Sequence, residues 1–111
     1  MMTQQIEEFS KIIKQEINKK NYQTLRYVLF DENSKTPFAV HLYLKDDKFM
    51  VDSRDERGYI IGATFEFLTF DEAKSKFFHI LDLTVEINRG DLKLGYASDY
   101  SSPLWDDTKI N

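Results

Sequence analysis

A chain of 111 residues, 41% apolar and 14% aromatic, is long enough to bury roughly two-thirds of its unfolded surface. Despite 31% charged residues it is too apolar for a disordered segment. A net charge of −4 argues against nucleic-acid binding, which draws its affinity from basic patches, and the absence of cysteine removes disulfides, thiolate zinc sites and a cysteine nucleophile.

No apolar run approaches the roughly 20 residues of a membrane span. Acid enters early, at Glu7 and Glu8, and no apolar leader core precedes it. The expectation is a cytoplasmic protein with one domain over residues 1–111, without membrane contact.

From about Thr3 to Lys20, Ile6, Phe9, Ile13 and Ile17 recur at helical spacing. Asn18-Lys19-Lys20-Asn21 supplies a cationic stop containing asparagine. Four strand candidates follow. The first, Thr24 to Phe30, is rich in strand formers. A polar turn closed by Pro37 leads into the second, Phe38 to Leu44. There Phe38, Val40, Leu42 and Leu44 form the apolar face, with Ala39, His41 and Tyr43 opposite. Lys45-Asp46-Asp47-Lys48 reads as a hairpin connection to the third strand, Lys48 to Asp52. The fourth, Tyr59 to Leu68, contains Gly62, the mark of a bulge. Connections this short predict antiparallel neighbours.

Thr69-Phe70-Asp71-Glu72 is a capping box that opens a second helix, which Gly90 is expected to close. The apolar residues of this helix, among them Ile80, Leu83 and Ile87, cover more than half its circumference. A single sheet face accounts for little more than 100° of arc. The excess predicts contact with the first helix, the tail or a second molecule. From Asp91 onward the pattern is irregular, with one brief strand possible at 92–96; the tail carries Asp91, Asp99, Asp106 and Asp107 against Lys93 and Lys109.

The densest chemistry lies in Asp52-Ser53-Arg54-Asp55-Glu56-Arg57-Gly58-Tyr59, a charged hairpin turn between apolar runs. Two uses are open. Its charges pair with one another, Arg54 with Asp52 or Glu56 and Arg57 with Asp55, for about 0–1 kcal/mol per exposed pair. Alternatively its arginines grip a partner's carboxylates or carbonyls. General acid–base catalysis there would need burial to separate two carboxylate pKa values, which an exposed turn seldom provides. The two histidines, His41 and His79, have no metal-ligand spacing, and four glycines form no phosphate cradle. No cofactor is expected. Trp105, beside two aspartates, either folds back over the core edge or anchors a partner.

The N-terminal helix, Phe38-Ala39-Val40-His41-Leu42-Tyr43, Ser53-Arg54-Asp55-Glu56-Arg57-Gly58, Phe70-Asp71-Glu72-Ala73-Lys74 and Pro103-Leu104-Trp105 follow in an order that resembles small immunity proteins of bacterial polymorphic toxin systems. That resemblance covers nearly the whole chain and implies stoichiometric neutralisation of a cognate toxin, without catalysis. A modest negative field suits a basic partner.

The expected architecture is α+β. A four-stranded antiparallel sheet carries both helices on one face, leaves the other face partly exposed and ends in an irregular tail. The candidate partner surface joins His41 and Tyr43 to Arg54, Asp55, Glu56 and Arg57 of the charged turn. Tyr96, Tyr100, Trp105, Asp106 and Asp107 of the tail complete it. The alternatives are a small hydrolase or nuclease using the carboxylates and His41, and a homodimeric scaffold built on the second helix.

Overall fold

In a computed structural model describing residues 3–105, the chain is α+β, in the order α1 (Thr3–Lys20), β1 (Tyr27–Leu29), β2 (Val40–Lys45), β3 (Lys48–Ser53), β4 (Phe65–Phe67), α2 (Phe70–Lys93) and a short 3-10 turn at Pro103–Trp105. The sheet order is β1-β2-β3-β4. Asp106 and Asp107 lie outside the described residues.

Local chemistry sets the helix ends. Asn21 adopts φ 61° after Lys20, and the Tyr22 N–H donates to the Ile17 carbonyl at 2.9 Å while the Asn21 N–H donates to Asn18 at 3.2 Å. This is a Schellman cap, with asparagine tolerated in the left-handed position. Thr69 caps α2 as expected: its Oγ1 accepts from the Glu72 N–H at 3.3 Å and donates to Glu72 Oε1 at 2.8 Å. The predicted stop at Gly90 does not hold, because the helix runs on to Lys93. Gly95, at φ 86°, is the residue that turns left-handed, with Tyr96 N–H bonded to Asp91 O at 2.8 Å and Gly95 N–H to Leu92 O at 3.1 Å. Residues 92–96, a possible strand from sequence, are therefore the end of this helix and its cap.

β2 and β3 pair antiparallel through the two-residue turn Asp46-Asp47, both left-handed at φ 53° and 62°, which matches the twist of the flanking strands. β3 and β4 are likewise antiparallel. The expectation of antiparallel neighbours fails at β1, which runs parallel to β2 with Tyr27 opposite Val40. Parallel pairing ordinarily needs a crossover of about a dozen residues. Here β1 is only three residues long, so the return path is about 10 Å. Phe30 and Phe38, at φ 55° and 58°, bend the chain at the two ends of that path.

Val40, Leu42, Phe49 and Val51 face the helices and share one core with Ile13 and Ile17 of α1 and Ala73, Phe77, Leu81 and Val85 of α2. Phe9 stacks on Phe70 at 4.1 Å, Lys74 lies 3.7 Å from Glu16, and Lys20 lies 3.9 Å from Asp82. Contact positions on α1 and α2 thus rise together, so the helices run side by side in the same sense. The opposite sheet face, expected to be partly exposed, is covered along its central row. The 30–39 crossover lies over it, with the Thr36 carbonyl 3.2 Å from His41 Nε2 and the Lys35 carbonyl against Gly58.

The predicted fourth strand is mostly absent. Only Phe65–Phe67 forms a ladder, preceded by one isolated bridge between Arg54 and Ile60. Gly62 takes φ 67° and interrupts the strand between that bridge and β4, and Tyr59, Ile60 and Ile61 are exposed.

Candidate functional site

The charged turn divides into an interior half and a surface half. Strand alternation points Asp52 and Arg54 away from the helices, under the crossover. Asp52 is 0% and Arg54 9% exposed. Their contact is bidentate: Arg54 Nε donates to Asp52 Oδ1 at 2.7 Å and Nη2 to Oδ2 at 3.2 Å. Tyr43 Oη donates to Asp52 Oδ2 at 2.8 Å, and Arg54 Nη1 donates to the Gly58 carbonyl at 3.1 Å. The expectation of weak exposed pairing is corrected here, since this ion pair is sealed. Burial and the Asp52 carboxylate that accepts its proton push the Tyr43 phenol up to about 12.

His41 joins this layer fully buried. A carbonyl oxygen only accepts, so the Thr36 contact puts the imidazole proton on Nε2, and Nδ1 has no partner. Burial is the main reason its pKa lies below 6.5; the Thr36 carbonyl opposes that shift and Arg54 adds to it. The neutral ring therefore belongs to the folded state, and the unfolded chain takes up a proton first as pH falls. Stability is expected to hold above pH 6.5 and to decline below it, by at most about 1.4 kcal/mol per pH unit for one proton. Urea midpoints at pH 7.5 and 5.5 should show this fall, and His41→Gln should flatten it. Tyr43 acts at the other extreme: its contribution is complete below pH 10 and is lost as pH rises toward 12.

The surface half of the turn is tied down equally well. Asp55 Oδ1 accepts the N–H groups of Arg57 and Tyr59, both at 2.9 Å, and the Asp55 carbonyl accepts from Gly58 and Phe38 at 3.1 Å. Glu56 and Arg57 stand exposed at the tip.

Beside the tip opens a groove of about 580 Å³ between the middle of α2, from Lys76 to Asn88, and the segment 53–65. Its floor is apolar, made by Ile61, Phe65, Ile80, Leu83 and Ile87, with Asp55, Glu56 and Asp99 on its rim and Lys76 and Arg54 also lining it. Leu83 is 39% and Ile87 58% exposed. Lys76 Nζ sits 4.1 Å from the Phe65 ring centroid, a cation–π contact. Asn88 fixes the tail as the far wall: its Oδ1 accepts the Asp99 N–H at 2.7 Å and its Nδ2 donates to the Asp99 carboxylate at 3.3 Å.

Of the residues singled out from sequence, the structure gathers Asp55 and Glu56 on this groove and puts Arg57 beside them. His41 and Tyr43 are interior, and Arg54, although 9% exposed, lines the groove beside Asp55. Trp105 is 3% exposed, donating Nε1–H to the Tyr100 carbonyl at 2.9 Å and packing edge-on against the Tyr100 ring. Tyr100 is half-buried beneath the Arg26 guanidinium, and Tyr96 is exposed at the end of α2. The groove floor was not singled out from sequence, although the apolar excess on α2 and the Ile60-Ile61 pair were its signals. Among the described residues no group of three or more histidine, aspartate or glutamate side chains is placed to hold a metal ion, and no helix is long and apolar enough to cross a membrane.

Comparison with known families puts this chain in the class of immunity proteins, inhibitors whose partner is a toxin. The matching family model is Immunity protein 59, over residues 6–106, and the chain belongs to that family. No curated protein and no solved structure matches it.

Proposed function

We propose that the protein neutralises a bacterial toxin by stoichiometric binding, without catalysis, and that the toxin docks in the groove between α2 and the 53–65 segment. The observation that carries this reading is the open apolar floor: Leu83, Ile87 and Ile61 stay exposed in a member of an inhibitor family. Such patches on a folded surface mark interaction sites. An apolar centre with a polar rim is the anatomy of a protein interface.

The rim favours a basic toxin, because three carboxylates stand against Lys76 and an Arg54 whose charge Asp52 already balances, and the chain carries −4 overall. The same charge disfavours a second acidic copy on this face, so a monomeric mass in solution is the expected result. The cluster that most resembles a catalytic constellation, His41 with Asp52 and Tyr43, is buried under the crossover, which supports a binding role. Action in the cytoplasm of the toxin-producing cell, as part of a polymorphic toxin system, belongs to this proposal.

The test is Ile87→Arg against the toxin encoded by the neighbouring reading frame. Ile87 is 58% exposed, so fold stability should stay within about 0.5 kcal/mol. Toxin affinity should fall at least about 30-fold, the scale of a truncated hot spot. Binding at wild-type strength would exclude the groove as the docking site.

A further inference from the structure

We infer that Arg54 is a positioning residue for toxin binding: from inside the fold, its guanidinium holds the 55–61 segment in the shape that forms one wall of the groove. The inference rests on the groove reading. Arg54 is the link between two layers. Two of its N–H groups are fixed on Asp52, whose Oδ2 also accepts from Tyr43, and a third fixes the Gly58 carbonyl. Gly58 is in turn pressed on the crossover, for a Cβ there would lie 2.1 Å from the Lys35 carbonyl oxygen. The segment's own bonds converge on Asp55, and the Ile61 N–H returns to the Ser53 carbonyl at 2.9 Å. Asp55 and Ile61, which these bonds orient, line the groove together with Glu56.

Lysine cannot replace this arrangement. A point ammonium can balance Asp52, but it lacks the planar fork that reaches a carboxylate and a carbonyl together. In Arg54→Lys the ion pair persists while the segment loses its hold on Gly58. When only part of the population is binding-competent, apparent affinity falls by that fraction. The expected result is amide exchange at least about 10-fold faster over residues 57–61, with the 42–51 strands unchanged. Toxin affinity should weaken roughly 10-fold, mainly through slower association.

Gly58→Ala disturbs the same segment without touching the ion pair, and it should reproduce both effects; it decides the matter if Arg54→Lys does not fold. Faster exchange in the segment with unchanged toxin affinity would overturn the inference, as would unchanged exchange in both variants. Ile87→Arg separates the two claims. If it abolishes binding while the loosened variants bind like wild type, the positioning inference alone fails. If Ile87→Arg binds normally, the groove reading itself fails.

Discussion

Asp52→Ala is expected to destabilise the protein by about 3–5 kcal/mol, the cost of removing one member of a buried ion pair. The guanidinium of Arg54 would be left without its carboxylate partner in an interior where it is 9% exposed. The Tyr43 hydroxyl would lose its acceptor in the same layer. The intact pair is nevertheless expected to contribute little on balance, because desolvating both charges offsets most of their attraction. A double variant, Asp52→Leu with Arg54→Met, should therefore recover at least half of what the single variant loses. Urea unfolding measures both effects as midpoint shifts at constant slope. A single-variant cost under about 1 kcal/mol would mean that the pair behaves as an exposed one.

This prediction reverses what the charged turn suggests in isolation. Six ionisable side chains between two apolar runs look like a solvated tip. Alternation along β3 puts Asp52 and Arg54 on one face, but whether that face is wet depends on the 30–39 crossover, and its course rests on a parallel pairing that short-connection reasoning disfavours. Local signals were legible because local chemistry decides them. The Asn21 stop, the Thr69–Glu72 box and the strand character of β2 and β3 all hold. Gly90 misled because a helix interior tolerates one glycine at a cost of about 1 kcal/mol, while Gly95 had both the left-handed geometry and the cap partners. The apolar excess on α2 was visible as a quantity. Its destination was not, because the groove also needs the chain to turn at Gly62, between the Arg54–Ile60 bridge and β4, with Ile61 exposed beside α2.

Trp105→Ala is expected to cost about 3–5 kcal/mol, the range for deleting a buried tryptophan. Two uses of this residue were open from sequence, and its surroundings now point to the packed one. The indole N–H is satisfied by the Tyr100 carbonyl, the ring meets Tyr100 at 5.0 Å, and Trp105 belongs to the main core cluster. The tail is also tied to α2 by Arg89 Nε donating to the Leu104 carbonyl at 2.7 Å, and by the Asn88–Asp99 contacts. Those ties couple the tryptophan to the groove, since Asp99 stands on its rim. If the tail and the core unfold as one unit, the variant lowers the urea midpoint and speeds exchange throughout α2. If the tail opens by itself, the global midpoint moves by less than about 1 kcal/mol and only exchange in residues 98–105 rises. The first outcome is expected, because the buried ring contacts would be lost from the core as well as from the tail. In both cases weaker toxin binding would have to be corrected for the unfolded or opened fraction before Trp105 could be called a contact.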